Sequence, residues 1–176
     1  MDMFTLVIGG AASGKSEYAE ALILASPARP RYYIATMEPM DGECRARIAR
    51  HRRLRAEKGF ETVERYTDLS GLHLESRGAV LLECLGNLAA NELYRPAGTE
   101  AGALAAVAGG VEALLDQCED LVVVSNEVFS GGDCYAGDTG AYLRLLAGAN
   151  RALARRADRV CEVACGLARY HKGAAL

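Results

Sequence analysis

Residues 9–16 read GGAASGKS, which fits the pattern GxxxxGK[ST] of a phosphate-binding loop. The apolar residues 4–8, FTLVI, precede it as a predicted strand, and a predicted helix follows from Lys15 to Ala25. This strand–loop–helix context is the one in which the motif binds phosphates. The stretch therefore predicts binding of a purine nucleoside triphosphate, and leaves hydrolysis, kinase action and nucleotidyl transfer open.

Each residue type in this loop has a physical role. Gly9 and Gly14 permit backbone conformations that a side chain would obstruct, so that N–H groups and the helix N-terminus surround a phosphate. Lys15 would place its charge on the β- and γ-phosphates, and the Ser16 hydroxyl would ligate Mg²⁺. The predicted phosphate-binding residues are Gly9, Gly10, Ala11, Ala12, Ser13, Gly14, Lys15 and Ser16.

Length and composition indicate a globular protein of one domain, residues 1–176. Hydrophobic residues make up 51% and charged residues 24% of the chain, and the formal net charge is −3. The charge gives no global basic excess of the kind that nucleic-acid binders carry. The longest apolar runs, such as residues 79–82, fall far short of the ~20 residues of a membrane span, and the N-terminus lacks the features of a secretory signal. We expect a soluble cytoplasmic protein without a membrane span.

Strand-like and helix-like runs alternate along the chain, which predicts an α/β fold with a mostly parallel sheet. The predicted strands are residues 4–8, 31–35, 60–64, 79–83, 121–125 and 160–163. The predicted helices are residues 15–25, 41–58, 99–117 (with Thr99 as its cap) and 139–156, and residues 129–140 are a predicted surface loop.

A second acid is needed for the metal shell of such a site. Glu83 ends the apolar run 79–83, where a Walker-B carboxylate would lie. An ordinary strand-terminal carboxylate explains Glu83 equally well, and Glu127 follows another predicted buried strand as a competing candidate.

The predicted helix 41–58 contains six arginines and His51 between residues 45 and 55. Arg47, His51 and Arg55 are spaced at i, i+4 and i+8, so they share one helical face. Three interpretations are open: a solvated charged face, a nucleic-acid footprint, or a triphosphate site in which His51 is the nucleophile and arginines stabilise phosphates. From spacing alone the solvated face ranks first.

Six cysteines are scattered through the chain without a Cys-x-x-Cys pair. Cys161 and Cys165 fall in one predicted strand run, where both would point to the same face. Buried, reduced thiols of a cytoplasmic protein are preferred over a zinc site.

Taken together, the motifs resemble the bifunctional adenosylcobinamide kinase/adenosylcobinamide-phosphate guanylyltransferases of cobalamin biosynthesis. The resemblance runs over nearly the whole length in the same order. The matching stretches are residues 9–16, 33–36 (YIAT), Arg47-Ile48 with His51 and Arg55, 60–64 (FETVE), 81–85 (LLECL), 124–128 (VSNEV), Asn150 and Ala157-Asp158.

The resemblance implies a RecA-like P-loop NTPase fold of three layers and two reactions. Adenosylcobinamide would be phosphorylated with ATP or GTP, and GMP from GTP would then be transferred to adenosylcobinamide phosphate through a guanylylated histidine, here His51. Lys15 would serve the kinase step, and Ser16 and Glu83 would hold Mg²⁺. The resemblance also implies a homo-oligomer, trimeric in the best-known case. Positions that match guanine-nucleotide contacts are Ala35, Thr36, Met37, Arg52, Arg53, Leu54, Arg55, Glu64 and Glu83.

Part of the chain departs from the family pattern. Residues 129–135 (FSGGDCY) replace a loop of the Gly-Ile-Val-Pro type, and residues 142–144 (YLR) replace a Phe-Arg-Asp stretch. These departures concern the corrinoid-facing side and leave the phosphate loop and His51 intact. A kinase that lacks guanylyl transfer and a nucleic-acid-binding ATPase are the alternative functions.

Overall fold

The computed structural model of the chain describes residues 3–39, 42–129 and 137–174, without the side chains of Glu43, Cys44 and Arg47. Seven strands form one sheet in the order β3-β2-β4-β5-β1-β6-β7. All neighbouring strands are parallel except β6 and β7, which are antiparallel. The strands are β1 (Met3–Gly9), β2 (Arg31–Ala35), β3 (Phe60–Glu64), β4 (Ala79–Leu82), β5 (Asp120–Asn126), β6 (Arg159–Ala164) and β7 (Leu167–Lys172).

Five helices accompany the sheet within the described residues. They are α1 (Lys15–Ala25), α2 (Gly42–Glu57), α3 (Leu85–Tyr94), α4 (Glu100–Leu115) and α5 (Asp138–Arg156), and a 3₁₀ turn covers Leu69–Gly71. No helix in the described ranges is both long enough and apolar enough to cross a membrane.

The core consists of two apolar clusters, one on each face of the sheet. Side chains of α3, α4 and α5, such as Leu88, Val107 and Leu153, pack on one face. The other face is covered by α1, through Ala19 and Ile23. Because β1, β4 and β5 are covered on both faces, their sequences are continuous apolar runs rather than alternating ones. The result is a three-layer α/β/α arrangement.

The carboxyl ends of the parallel strands meet at one edge of the sheet, as they must in a parallel arrangement. The loop 9–16 follows β1, Thr36 follows β2, Glu64 ends β3 and Glu83 follows β4. One strand, β5, separates β1 from β4. In open α/β sheets this edge is where ligands bind.

The predicted α/β fold with a mostly parallel sheet is confirmed, and every predicted strand and helix is present within about two residues of its expected bounds. Two elements were not predicted, α3 and β7. The interpretation of residues 161 and 165 as members of one strand face is wrong. Cys161 is buried in β6, but Cys165 lies beyond its end in a turn, exposed and with φ of 52°. The expectation that the thiols are buried therefore fails for Cys165.

Candidate active site

The loop after β1 has the tight geometry that its glycines predict. A Cβ on Gly9 would crowd Ser13 Oγ and lie 2.8 Å from the carbonyl oxygen of Val163, so only glycine fits there. Gly14 caps α1 with φ of 88°, a left-handed conformation that side chains disfavour. The ammonium of Lys15 donates to the carbonyl oxygen of Gly10 at 3.0 Å, which keeps this charge folded over the loop.

Two neighbouring cavities lie at the carboxyl edge and share four lining residues, Tyr33, His51, Arg55 and Glu83. The cavity on the loop side has a volume of about 370 Å³, and the cavity on the β3 side about 270 Å³. The loop side is also lined by Ser16, Glu17, Glu20, Leu54 and Lys58. The β3 side is also lined by Ala35, Met37, Ile48 and Glu64. His51 thus lines both cavities, and shares the loop-side one with Ser16.

Arg55 is buried deeply for an arginine, with 6% of its surface exposed. Its guanidinium carbon lies 4.0 Å from the centroid of the Tyr33 ring, a cation–π geometry. Nε donates to the carbonyl oxygen of His51 at 3.0 Å, and Nη1 is buried without a hydrogen-bond partner among the described residues. A buried donor without a partner costs free energy, so Arg55 offers this cavity an unused donor for an anion.

Glu83 lines both cavities together with Tyr33 and Arg55. Burial raises the pKa of the Glu83 carboxyl, while the charges of Arg55 and His51 and a hydrogen bond from Tyr33 act in the opposite direction. Burial also raises the pKa of the Tyr33 hydroxyl, and the neighbouring Glu83 charge adds to that effect. Tyr33 and Glu83 are therefore hydrogen-bonded neighbours, and both feel the charge of Arg55.

The β3 side of the site is held by contacts between loops and helices. Glu64 accepts a hydrogen bond from the Tyr66 hydroxyl at 3.2 Å and lies 3.9 Å from Arg52. Thr36 is fully buried, and its hydroxyl donates to the carbonyl oxygen of Cys84 at 3.0 Å. The Thr36 side chain is therefore engaged within the protein.

The sequence-predicted residues are not all gathered in the cavities. Ser16, Ala35, Met37, His51, Leu54, Arg55, Glu64 and Glu83 line them. Arg53 is exposed on α2, and Arg52 is exposed beside Glu64. The side chain of Arg47, expected on the face of His51, lies outside the described residues, as do residues 130–136 of the departing segment.

Sequence reasoning from the motifs missed several lining residues. Glu17, Glu20 and Lys58 lie in no motif, and Tyr33 and Ile48 fall in stretches that match the family but were given no role in the site. One signal was available for Tyr33, which lies two residues before the end of the predicted strand 31–35, where a polar tip reaches the carboxyl edge. Lys58 and Glu20 form an ion pair that joins the end of α2 to α1 across the loop-side cavity.

Oxygen donors suitable for Mg²⁺ meet on the loop side. The Ser16 hydroxyl and the Glu83 carboxylate line the same cavity, and both are ligand types that this ion prefers. Glu127, the competing acid, uses Oε1 to accept the backbone N–H of Phe129 at 2.9 Å. Ser16 and Glu83 could therefore hold a magnesium ion.

A family model described as cobinamide kinase / cobinamide phosphate guanyltransferase, CobU, matches residues 5–170. The chain belongs to the CobU family. Among its relatives is the bifunctional adenosylcobalamin biosynthesis protein CobU of Escherichia coli K12, 34% identical over 94% of this chain and 97% of that protein. The protein of the same name from Salmonella typhimurium LT2 has the same identity and coverage. The bifunctional adenosylcobalamin biosynthesis protein CobP of Pseudomonas aeruginosa PAO1 is 32% identical over 97% of this chain and 98% of that protein.

Membership of the CobU family agrees with the site geometry. The loop with the phosphate-binding sequence lies at the carboxyl edge of a mostly parallel sheet, and Ser16 of that loop lines a cavity there. The resemblance inferred from the sequence motifs is thereby confirmed.

Proposed function

We propose that this CobU-family chain is a bifunctional transferase of cobalamin biosynthesis. It phosphorylates the aminopropanol hydroxyl of adenosylcobinamide with ATP or GTP, and then transfers GMP from GTP to adenosylcobinamide phosphate to give adenosylcobinamide-GDP. One observation carries the proposal: His51 lines the same cavity as Ser16 of the phosphate-binding loop.

In the kinase step the loop 9–16 holds the triphosphate. Its backbone N–H groups and the N-terminus of α1 bind phosphate oxygens, and Lys15 exchanges its bond to the Gly10 carbonyl for the β- and γ-phosphates. The hydroxyl oxygen of the corrinoid attacks the γ-phosphorus, the bond to the β-phosphate oxygen breaks, and the hydroxyl proton is released. The nucleoside diphosphate leaves.

In the transfer step an imidazole nitrogen of His51 attacks the α-phosphorus of GTP, and the bond to the departing pyrophosphate breaks. A phosphate oxygen of adenosylcobinamide phosphate then attacks the same phosphorus, the P–N bond breaks, and neutral His51 is restored. The free donor of Arg55 and the Lys15 charge stabilise the negative charge that develops on the phosphate oxygens.

The nucleoside of GTP occupies the cavity on the β3 side in this proposal. Glu64, Met37 and the backbone at Ala35 and Thr36 would contact it, the Thr36 side chain being used elsewhere. Arg52, Arg53 and Leu54 would act from α2, and Glu83 from the floor between the two cavities. Mg²⁺ held by Ser16 and Glu83 would neutralise charge on the triphosphate in both steps.

The same family membership leads us to propose a homo-oligomer, trimeric by resemblance, which size-exclusion chromatography with light scattering would measure. We also place the enzyme in the cytoplasm. The described cysteines at 84, 118, 161 and 165 are all free thiols, which is typical of a reducing compartment.

The test is incubation with GTP labelled at the α-phosphate and Mg²⁺, followed by denaturation. We expect acid-labile label on the protein that His51→Ala abolishes and that His73→Ala, an exposed histidine outside the site, retains. Undiminished label in His51→Ala would remove His51 from the mechanism. Phosphorylation of adenosylcobinamide without any labelled protein would instead indicate the kinase-only alternative.

A further inference from the structure

The antiparallel hairpin formed by β6 and β7 touches the phosphate-binding loop, although no sequence motif connects the two. We propose that this hairpin is a brace that holds the loop in its binding shape, with Gly166 and Tyr170 as positioning residues. The inference rests on the triphosphate-binding role of the loop proposed above, and it adds residues that the two reactions do not themselves require.

The first contact of the brace is made by the turn of the hairpin. The Gly166 N–H donates to the carbonyl oxygen of Ser13 at 2.8 Å. The approach is close, because a Cβ built on Gly14 would lie 3.2 Å from Gly166 Cα. Ser13 and Gly14 immediately precede Lys15, so this bond fixes the backbone where the loop becomes α1. With its carbonyl turned outward to Gly166, Ser13 is held so that the following amides are free for phosphate.

The turn has a conformation that suits this contact. Cys165 and Gly166 form a two-residue connection between Ala164 and Leu167, which pair across the hairpin. Both have positive φ, 52° and 75°, as in a type I′ turn. A Cβ on Gly166 would meet open space, so only the left-handed backbone limits what this position accepts.

The second contact lies beyond the loop in sequence, in the first turn of α1. The hydroxyls of Tyr18 on α1 and Tyr170 on β7 are hydrogen-bonded at 2.7 Å. Burial and this hydrogen bond raise the pKa of Tyr170, so the hydroxyl keeps its proton at neutral pH. The hairpin therefore holds the end of the loop through Gly166 and the first turn of α1 through Tyr170. Two attachment points on either side of Gly14 and Lys15 restrict both the shape and the direction of the segment between them.

Three variants of the hairpin and one control variant distinguish this brace from a general contribution to stability. Gly166→Val strains the turn, whereas Gly166→Asn tolerates positive φ and should rescue it. Tyr170→Phe removes only the hydroxyl that reaches α1. Tyr32→Phe is the matched control, because it also removes a tyrosine hydroxyl paired with another side-chain hydroxyl, that of Ser76, but on β2, which β4 and β5 separate from β1.

Two measurements test the brace. Hydrogen exchange of amides 10–16 in the nucleotide-free protein reports the loop directly, and titration with guanylyl imidodiphosphate reports binding. We expect faster exchange and about fivefold to tenfold weaker binding in Gly166→Val, a smaller loss of about threefold in Tyr170→Phe, and near-wild-type values in Gly166→Asn and Tyr32→Phe. Thermal unfolding of each variant supplies the comparison with stability.

The proposal is overturned if amides 10–16 of Tyr170→Phe exchange at the wild-type rate. It is also overturned if Tyr32→Phe accelerates the exchange of these amides as much as Tyr170→Phe does. Should Gly166→Val not fold, Gly166→Asn and Tyr170→Phe decide the matter by the same exchange measurement. A wild-type protein that does not bind the analogue contradicts the proposed function instead, and the exchange result still judges the brace.

Discussion

Arg55 shows how one residue serves both the fold and the site. Its guanidinium packs on the ring of Tyr33 and is bonded to the backbone of its own helix at His51, which places the two side chains at one cavity wall. A buried guanidinium without full pairing is costly, and proteins retain such groups where a ligand supplies the missing partner. Arg55 thus attaches α2 to the sheet through Tyr33 of β2.

Lys15 is the residue whose loss should damage the kinase step most. We expect Lys15→Ala to lower turnover of adenosylcobinamide by about 10²–10³-fold, because the variant lacks the charge that stabilises the transferring phosphate. Product formation under saturating ATP measures this. The control for loss of a lysine is Lys172→Ala, because the Lys172 ammonium donates to a backbone carbonyl at the end of α5. Unchanged turnover in Lys15→Ala would refute the assigned role.

Cys161 makes the free energy of unfolding depend on pH in the alkaline range. Burial raises the pKa of its thiol from 9.0 to about 11. The unfolded chain ionises this thiol at lower pH than the folded protein does, so the free energy of unfolding falls as pH rises through that interval. The variant Cys161→Ala lacks this pH dependence. It also loses packing contacts, which lowers its free energy of unfolding by about 1 kcal/mol at neutral pH.

We therefore expect the stability gap between wild type and Cys161→Ala to be smaller at about pH 10 than at about pH 7. Urea unfolding at the two pH values measures it. A gap that is constant or grows with pH would contradict the raised pKa.

At the scale of elements, α2 resolves the interpretations of the arginine-rich segment residue by residue. Arg45, Arg50 and Arg53 are exposed, as the solvated-face interpretation predicts. Arg55 is buried and lines both cavities with His51, as the triphosphate-site interpretation requires of its geometry. One face of α2 points toward the cavities and the rest of the helix points toward water. Amino-acid composition alone does not tell which arginines lie on which face.

The start of α4 offers a stability test of a predicted cap. Thr99 Oγ1 accepts the N–H of Gly102 at 3.0 Å. We expect Thr99→Ala to lower the free energy of unfolding by about 1 kcal/mol, while Thr99→Ser retains the bond and most of the stability. Chemical denaturation of both variants measures the difference. Equal losses in the two variants would show that the hydroxyl is not what matters.

Local sequence patterns predicted the strands that are buried along their whole length and the elements that adjoin a motif. They missed elements that form only because of tertiary contacts. Residues 15–25, 31–35 and 60–64 were predicted with the bounds that the structure has. The strand β7 was not predicted, because its residues are mostly exposed and its pairing comes from β6. In the same way, motifs predicted His51 and Glu83, but Tyr33 enters the site only because β2 lies beside β4.

At the scale of the whole molecule, the charge balance bears on the nucleic-acid alternative. The net charge is −3, Arg55 is buried, and Arg52 lies beside Glu64. We expect at most weak binding of a single-stranded oligonucleotide in fluorescence anisotropy, with little change between about 50 and about 200 mM salt. Tight binding that falls steeply over this range would favour the nucleic-acid-binding ATPase.

The bond between Tyr18 and Tyr170 joins residues 152 positions apart. During synthesis the glycine turn of residues 9–16 leaves the ribosome well before the hairpin that braces it. The nascent chain therefore carries the turn without its brace until the hairpin emerges and docks, and we expect the turn to reach its full affinity for triphosphate only then.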